Sequence, residues 1–270
     1  MNNRLQKIDI VRGITLISMI LYHFVWDLKY IACLDIGWYS GPYGRIWQRS
    51  ICISFIFLSG FCFSLGRNQI KRGIEIFICG VIITGVTLIF MPENRIIFGI
   101  LTFMGSAGLI AVVIDKIIHY LYKLLDSHTL NLTLFIGNIL LFIAFYDVNY
   151  GDLNTFVKRV SLPSYLYDGY AATFLGFPDR TFFSTDYFAL LPWIFLYLIG
   201  YFTYKLLCYE KKDGNSIFVD RLSGKVTEIL RLKNENAITR SLGLIGRNTL
   251  IIYMIHQPIL YGITLLIQRF

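Results

Sequence analysis

Four histidines and a few carboxylates and arginines are the groups in this 270-residue chain with the chemistry to do more than pack. His23 and Asp27 stand four apart in LYHFVWDLK, so on a helix they share one face. A carboxylate one turn away can accept the proton of one imidazole nitrogen and leave the other basic. That is a base and its orienter, two of the three parts of a triad. The plainer alternative is an interfacial histidine beside a convenient aspartate. His256 lies nine residues beyond Arg247 in GRNTLIIYMIHQP, roughly 13 Å along a helix. Gln257 follows it, and Pro258 removes a backbone donor from the helical ladder. This group reads either as part of a reactive chamber or as a polar network between helices.

Other charged groups have two readings each. Asp9 and Arg12 are three apart, with Gly13 beside them to permit close helix approach. They form an interfacial ion pair or grip a substrate headgroup. Arg49 is expected near the depth of Asp27, where it pairs with that carboxylate or presents a donor fork to an oxyanion or acidic substrate. Asp186 follows Ser184 and Thr185 and has the look of a helix N-cap at the start of an apolar run. His119 and His128 read as solvated. The five cysteines, Cys33, Cys52, Cys62, Cys79 and Cys208, form no C-x-x-C pair, so a metal or redox centre is not expected.

The elements that must position these groups are apolar. The chain is 56% hydrophobic and only 16% charged, against roughly a quarter for a soluble domain. The surplus has to face lipid. Seven stretches are long enough to span: Ile8–Leu28, Trp47–Leu65, Ile74–Met91, Ile96–Ile118, Leu130–Phe145, Tyr187–Leu207 and Thr249–Leu266. The expected fold is therefore all-α: a polytopic transmembrane helical bundle of about seven spans, a single domain over residues 1–270 with a cytoplasmic loop at about 209–245.

The net charge of +8 would suit nucleic acid in a soluble protein, but here its distribution argues for membrane topology and against a nucleic-acid partner. With the N-terminus cytoplasmic, Arg4, Lys7 and Arg12 flank the first span on the inside. Arg67, Lys71 and Arg72, then Lys116 and Lys123, fall in inner loops. The stretch from Lys205 to Arg247, including Arg221 and Lys233, does so too. Outer connections hold fewer cations, Arg269 among them, and collect Asp147, Asp152, Asp168, Asp179 and Asp186. Within Gly214–Arg240, the spacing of Val226, Ile229 and Leu230 predicts an amphipathic helix at the membrane surface or a solvated linker.

The run from Arg4 to Asp27, R-x-x-x-I-D-x-x-R-G-x-x-L-I-x-M-I-x-x-H-F-x-x-D, resembles bacterial members of the heparan-alpha-glucosaminide N-acetyltransferase-like family. So do F-L-S-G at Phe57–Gly60, F-G-I-L at Phe98–Leu101 and L-G-F at Leu175–Phe177. S-T-D-Y-F-A-L-L-P-W at Ser184–Trp193 and G-R-N-T-L-I-I-Y-M-I-H-Q-P at Gly246–Pro258 complete the set. The resemblance implies a multi-pass cell-membrane acyltransferase that moves an acetyl group from acetyl-CoA to a sugar amine or hydroxyl, with no metal.

Carried onto matching positions, it makes His23 the leading catalytic residue with Asp27 as partner. Asp9, Arg12, Asp186 and His256 become pocket residues. Arg49, His256 and Gln257 complete the substrate-binding set from the residue chemistry. Arg67, Lys71, Arg72 and Arg247 are the cations available for the phosphates of acetyl-CoA, although the topology requires the same charges. The expected partners are membrane lipid, acetyl-CoA and a carbohydrate or glycan acceptor, with a homo-oligomer left open. The competing class is a small-solute or proton-coupled transporter, whose intramembrane histidines would relay protons. It predicts internal repeats, and the sequence has none.

Overall fold

The computed structural model describes residues 5–155, 157–212, 215–218, 222–232 and 235–268. Arg4, Arg221, Lys233 and Arg269, used above in the motif or the charge pattern, lie outside the described residues, as do parts of the Gly214–Arg240 segment. The fold is all-α: 74% helical, with ten helices among the described residues. Two compact units divide the chain, one made of Met1–Leu58 with Gly224–Phe270 and the other of Ser59–Ser223.

In the first unit, α1 (Gln6–Tyr30) is followed by α2 (Pro42–Phe61), whose residues beyond Leu58 belong to the second unit. The two helices run antiparallel. Trp47 Nε1 donates to Ser18 Oγ at 2.8 Å, and the Tyr39 hydroxyl donates to the Tyr22 carbonyl at 3.3 Å. The unit closes with α8 (Gly224–Leu230), α9 (Ala237–Arg247) and α10 (Thr249–Ile267). Asn236 and Thr239 form a reciprocal capping box that starts α9.

Glycine lets α9 and α1 touch backbone to backbone. A Cβ on Gly246 would stand 1.8 Å from the Asp9 carbonyl oxygen, and one on Gly13 would stand 2.2 Å from that of Leu242. Contacts then climb α1 and α10 together, from Arg12 with Thr249, through His23 with His256, to Ile31 with Gln268. α10 therefore runs parallel to α1, whereas α9, with Leu242 at Gly13 and Gly246 at Asp9, runs antiparallel to it.

In the second unit, α3 (Gln69–Phe90) and α4 (Ile100–Leu121) form an antiparallel hairpin. It is closed at Gly80, where a Cβ would meet Thr102 N at 2.6 Å, and at Gly105, where it would meet Phe77 N at 2.6 Å. α5 (Ser127–Phe145) is capped by Asp126, which accepts from Thr129 N at 2.7 Å. α6 (Gly169–Leu175) is short, and α7 (Trp193–Leu207) is largely buried. Two antiparallel hairpins complete the unit: β1 (Asp152–Asn154) with β2 (Arg159–Ser161), and β3 (Tyr209–Lys212) with β4 (Asn215–Phe218).

Five helices, α1, α3, α4, α5 and α10, are long and apolar enough to cross a membrane. The other two expected stretches form α2 and α7. Arg45, Gln48 and Arg49 make the first half of α2 polar. The 15 residues of α7 reach only about 22 Å. The expected sixth stretch begins at Tyr187, yet helix begins only at Trp193. Before it the backbone is pinned elsewhere, with the amides of Phe188, Leu190 and Leu191 donating to the carbonyls of Phe98, Phe174 and Leu175. The amphipathic segment predicted within Gly214–Arg240 yields a seven-residue helix, α8, preceded by a strand, and the longer helix α9 starts only at Ala237.

Candidate active site

The first unit gathers most of the residues expected to do chemistry. His23, in the upper half of α1, faces His256 of α10 with ring centroids 5.1 Å apart. One turn above His23, Asp27 is fully buried at 0% exposure. Gln257 Nε2 donates to Asp27 Oδ1 at 2.9 Å. Asp27 therefore orients Gln257 across the helix pair and not His23 along its own helix, which corrects the expected His23–Asp27 dyad. A long-range amide donor reached the carboxylate that the i, i+4 spacing had assigned to the imidazole. Arg49 is exposed on α2, so the bond to Asp27 comes from Gln257 and not from that arginine.

His256 is 7% exposed, and its Nδ1 lies 2.5 Å from the Tyr253 carbonyl oxygen. A carbonyl can only accept, so Nδ1 carries the proton. Nε2 is then the basic nitrogen; it is buried and makes no hydrogen bond. Aromatic rings wall the site: Tyr22 packs edge-on against His23 at 5.9 Å and against Trp47 at 5.3 Å, and Tyr253 lies 5.2 Å from His256. Tyr39 is buried beside Tyr22, and burial raises its phenol above the ordinary value.

At the other end of α1, Asp9 collects two arginines, Arg12 at 3.8 Å and Arg247 at 3.6 Å. Arg12 also reaches Thr249 Oγ1 at 3.5 Å, at the first turn of α10. Among the described residues, two guanidinium groups thus face this one carboxylate. Arg247, expected to bind phosphate, is here part of a helix clamp.

The second unit holds the other expected residues. Asp186 does not cap the helix that follows it. Its Oδ2 accepts from Ile100 N at 3.2 Å, the first residue of α4, and Gly99 leaves the room. The non-helical stretch before Trp193, pinned to Arg95 and Phe98, separates Asp186 from α7 and delivers it to a different helix start. Burial pushes its carboxyl up to about 6. Arg67 and Lys71 are exposed, and Lys71 lies 3.8 Å from Glu75. Arg72 is half-buried and lines a small cleft with Ser59, Gln69 and Tyr197.

An ionic cluster in this unit was not anticipated. Lys205, 2% exposed, lies 3.0 Å from Asp115 Oδ1, which also accepts from the Tyr201 hydroxyl at 2.5 Å. Lys205 is therefore a buried partner of α4 and not the first cation of a solvated loop. The signal that could have exposed it was Asp115 itself, a carboxylate inside an apolar stretch. His119 is exposed, with Nδ1 2.9 Å from the Asp115 carbonyl, and His128 is exposed. Among the described residues no cluster of His, Cys, Asp and Glu could hold a metal ion.

A model of the family described as heparan-alpha-glucosaminide N-acetyltransferase, catalytic, matches residues 4–258, from the opening motif to Pro258 just past the His256–Gln257 pair. No curated protein and no solved structure matches the chain. A match over nearly the whole length settles the relationship: the chain belongs to the heparan-alpha-glucosaminide N-acetyltransferase catalytic family.

Proposed function

We propose that the protein is a multi-pass cell-membrane acetyltransferase that moves an acetyl group from acetyl-CoA to a sugar amine or hydroxyl on the extracytoplasmic side. Family membership supports transferase chemistry in a membrane-type protein. The observation that carries the reading is the facing histidine pair, half-buried His23 and buried His256, beside the Asp27–Gln257 hydrogen bond at the same level of two parallel helices. Few folds place two imidazoles and a carboxylate among apolar helices without using them, because each is costly there unless it serves a site.

The topology we favour has seven spans, the N-terminus in the cytoplasm and one functional domain over residues 1–270. The parallel course of α1 and α10 supports an odd number of crossings between chain start and end. Counting from the Asp9 level, His23 then lies roughly 20 Å along α1, toward the outer leaflet. The acetyl donor would enter from the Asp9–Arg12–Arg247 end. Arg72, with Arg67 and Lys71 nearby in sequence, is a second source of charge for its phosphates. At the outer level, His23 and His256 supply acid–base chemistry, and Asp27, Gln257 and Arg49 shape acceptor binding. Asp186 is retained as a substrate-side residue on the outer loops. No metal is needed for this chemistry.

The test is transfer of radiolabel from acetyl-CoA to glucosamine by membranes bearing the wild-type protein or His23→Ala. The reading expects labelled acetyl-glucosamine from the wild type and a strong loss in the variant. Equal transfer in both would remove His23 from the mechanism, and a proton-coupled uptake signal in place of transfer would favour transport.

A further inference from the structure

Three buried polar atoms on α1 and α10, at the level of the histidine pair, make no hydrogen bond: Asp27 Oδ2, Gln257 Oε1 and His256 Nε2. A fourth, the Thr264 hydroxyl, lies about two turns further along α10. The first three are acceptors. The carboxylate only accepts. Gln257 has turned its amide nitrogen to Asp27, which leaves its buried oxygen without a donor. His256 has spent its proton-bearing nitrogen on the Tyr253 carbonyl. Leaving such groups buried and unmet is costly, so three of them on facing turns of α1 and α10 point to a ligand that meets them. That ligand must offer N–H or O–H donors. A phosphate or carboxylate offers the reverse and would be repelled by Asp27.

His23 differs from His256 in a way that decides their roles. Among the described residues it makes no hydrogen bond that fixes its tautomer, and the carboxylate one turn away is taken by Gln257. Its ring sits 5.1 Å from that of His256, so two protonated rings would repel.

We infer that His256, and not His23, is the proton acceptor of the transfer step, while Asp27 Oδ2 and Gln257 Oε1 hold the donating amine or hydroxyl of the acceptor. This rests on the acetyltransferase reading above. In the step, the acceptor's lone pair forms the new bond to the thioester carbonyl carbon, and its proton passes to His256 Nε2. The carbon–sulfur bond then breaks, and the thiolate leaves and takes up that proton. The backbone carbonyl of Tyr253 is a positioning group, because it stabilises the imidazolium while the proton is held.

The experiment combines a spectroscopic and a kinetic arm on the full-length protein in bilayers. The protein is labelled with ¹⁵N-histidine, and the His256 signals are assigned by their loss in His256→Gln; only four histidines are present. The inference expects a neutral His256 protonated at Nδ1, with an Nε2 resonance that shifts when glucosamine is added and does not shift with acetate. In the kinetic arm, His256→Gln lowers acetyl transfer about 10²–10⁴-fold and removes the acid limb of the pH–rate profile. The exposed control His128→Ala does neither. An Nε2-protonated tautomer, no response to glucosamine, or an unchanged pH profile in His256→Gln would overturn it. If the wild type shows the tautomer and the amine response but no acetyl transfer, the acetyltransferase reading fails and the proton-acceptor assignment fails with it, leaving only the donor-binding site.

Discussion

Replacing Gly246 by alanine tests the architecture that brings the site together. In the wild-type packing a Cβ at 246 would lie 1.8 Å from the Asp9 carbonyl oxygen and 2.9 Å from Gly13 N. Ordinary contact begins near 3.4 Å, so α9 and α1 must part by at least 1.6 Å at this point. The obstacle is main chain on a helix and cannot swing aside as a side chain would. Such overpacking costs about 1–3 kcal/mol in a well-packed interior, and this site belongs at the upper end or above. For a protein of this size, about 3 kcal/mol lowers Tm by roughly 6–12 °C. Opening also lengthens the Arg247–Asp9 contact, now 3.6 Å.

Gly262 provides the internal comparison. It lies on α10 with nothing within 4 Å of its Cβ position. Alanine there relieves the entropic cost of a helical glycine and stabilises by up to about 1 kcal/mol. Thermal unfolding of detergent-solubilised protein, followed by circular dichroism, should show Gly246→Ala well below wild type and Gly262→Ala at or slightly above it. Equal midpoints for the two variants would refute the backbone contact between α1 and α9.

Gln257→Leu leaves the buried Asp27 carboxylate without its donor and should destabilise by about 1.5–3 kcal/mol, read as a lower Tm. Asp115→Asn or Lys205→Met alone strands a charge in the second unit and should cost about 3–5 kcal/mol, whereas the double variant should recover most of it; an additive double variant would argue against the pair. Asp186 holds its proton to about 6 when folded, against 3.8 for an ordinary exposed aspartate. The folded chain thus binds the proton more tightly, so this group's stabilisation is present below pH 3.8 and is lost as pH rises to about 6. Asp186→Asn should flatten Tm against pH across that window, and an unchanged slope would place the titration elsewhere.

Apolar length was the legible part of the fold. Runs such as Ile8–Leu28 and Thr249–Leu266 exceed what a soluble core hides, and they became α1 and α10 nearly residue for residue. The sixth run failed at its start because hydropathy does not register hydrogen bonds. Phe188, Leu190 and Leu191 are apolar, yet their amides are committed to Phe98, Phe174 and Leu175. The hairpin of β1 and β2 within the outer loop left no apolar signature either.

In the site, residue type was legible and pairing was not. His23, Asp27, His256 and Gln257 stood out as polar groups at lipid depth, and the structure does bring them together. Which of them bond could not follow from helical spacing, because Gln257 reaches Asp27 across 230 positions of sequence. Spacing along one helix favoured the local partner, and packing between helices supplied a better one. The same holds for Lys205, whose charge suited an inner loop until Asp115 drew it into the bundle.

Vectorial acetyl transfer tests the central claim most directly. The purified protein would be reconstituted in proteoliposomes with glucosamine sealed inside and radiolabelled acetyl-CoA outside. The account predicts labelled acetyl-glucosamine in the lumen, dependent on His256. Intact liposomes that take up glucosamine or protons but form no labelled product would contradict it.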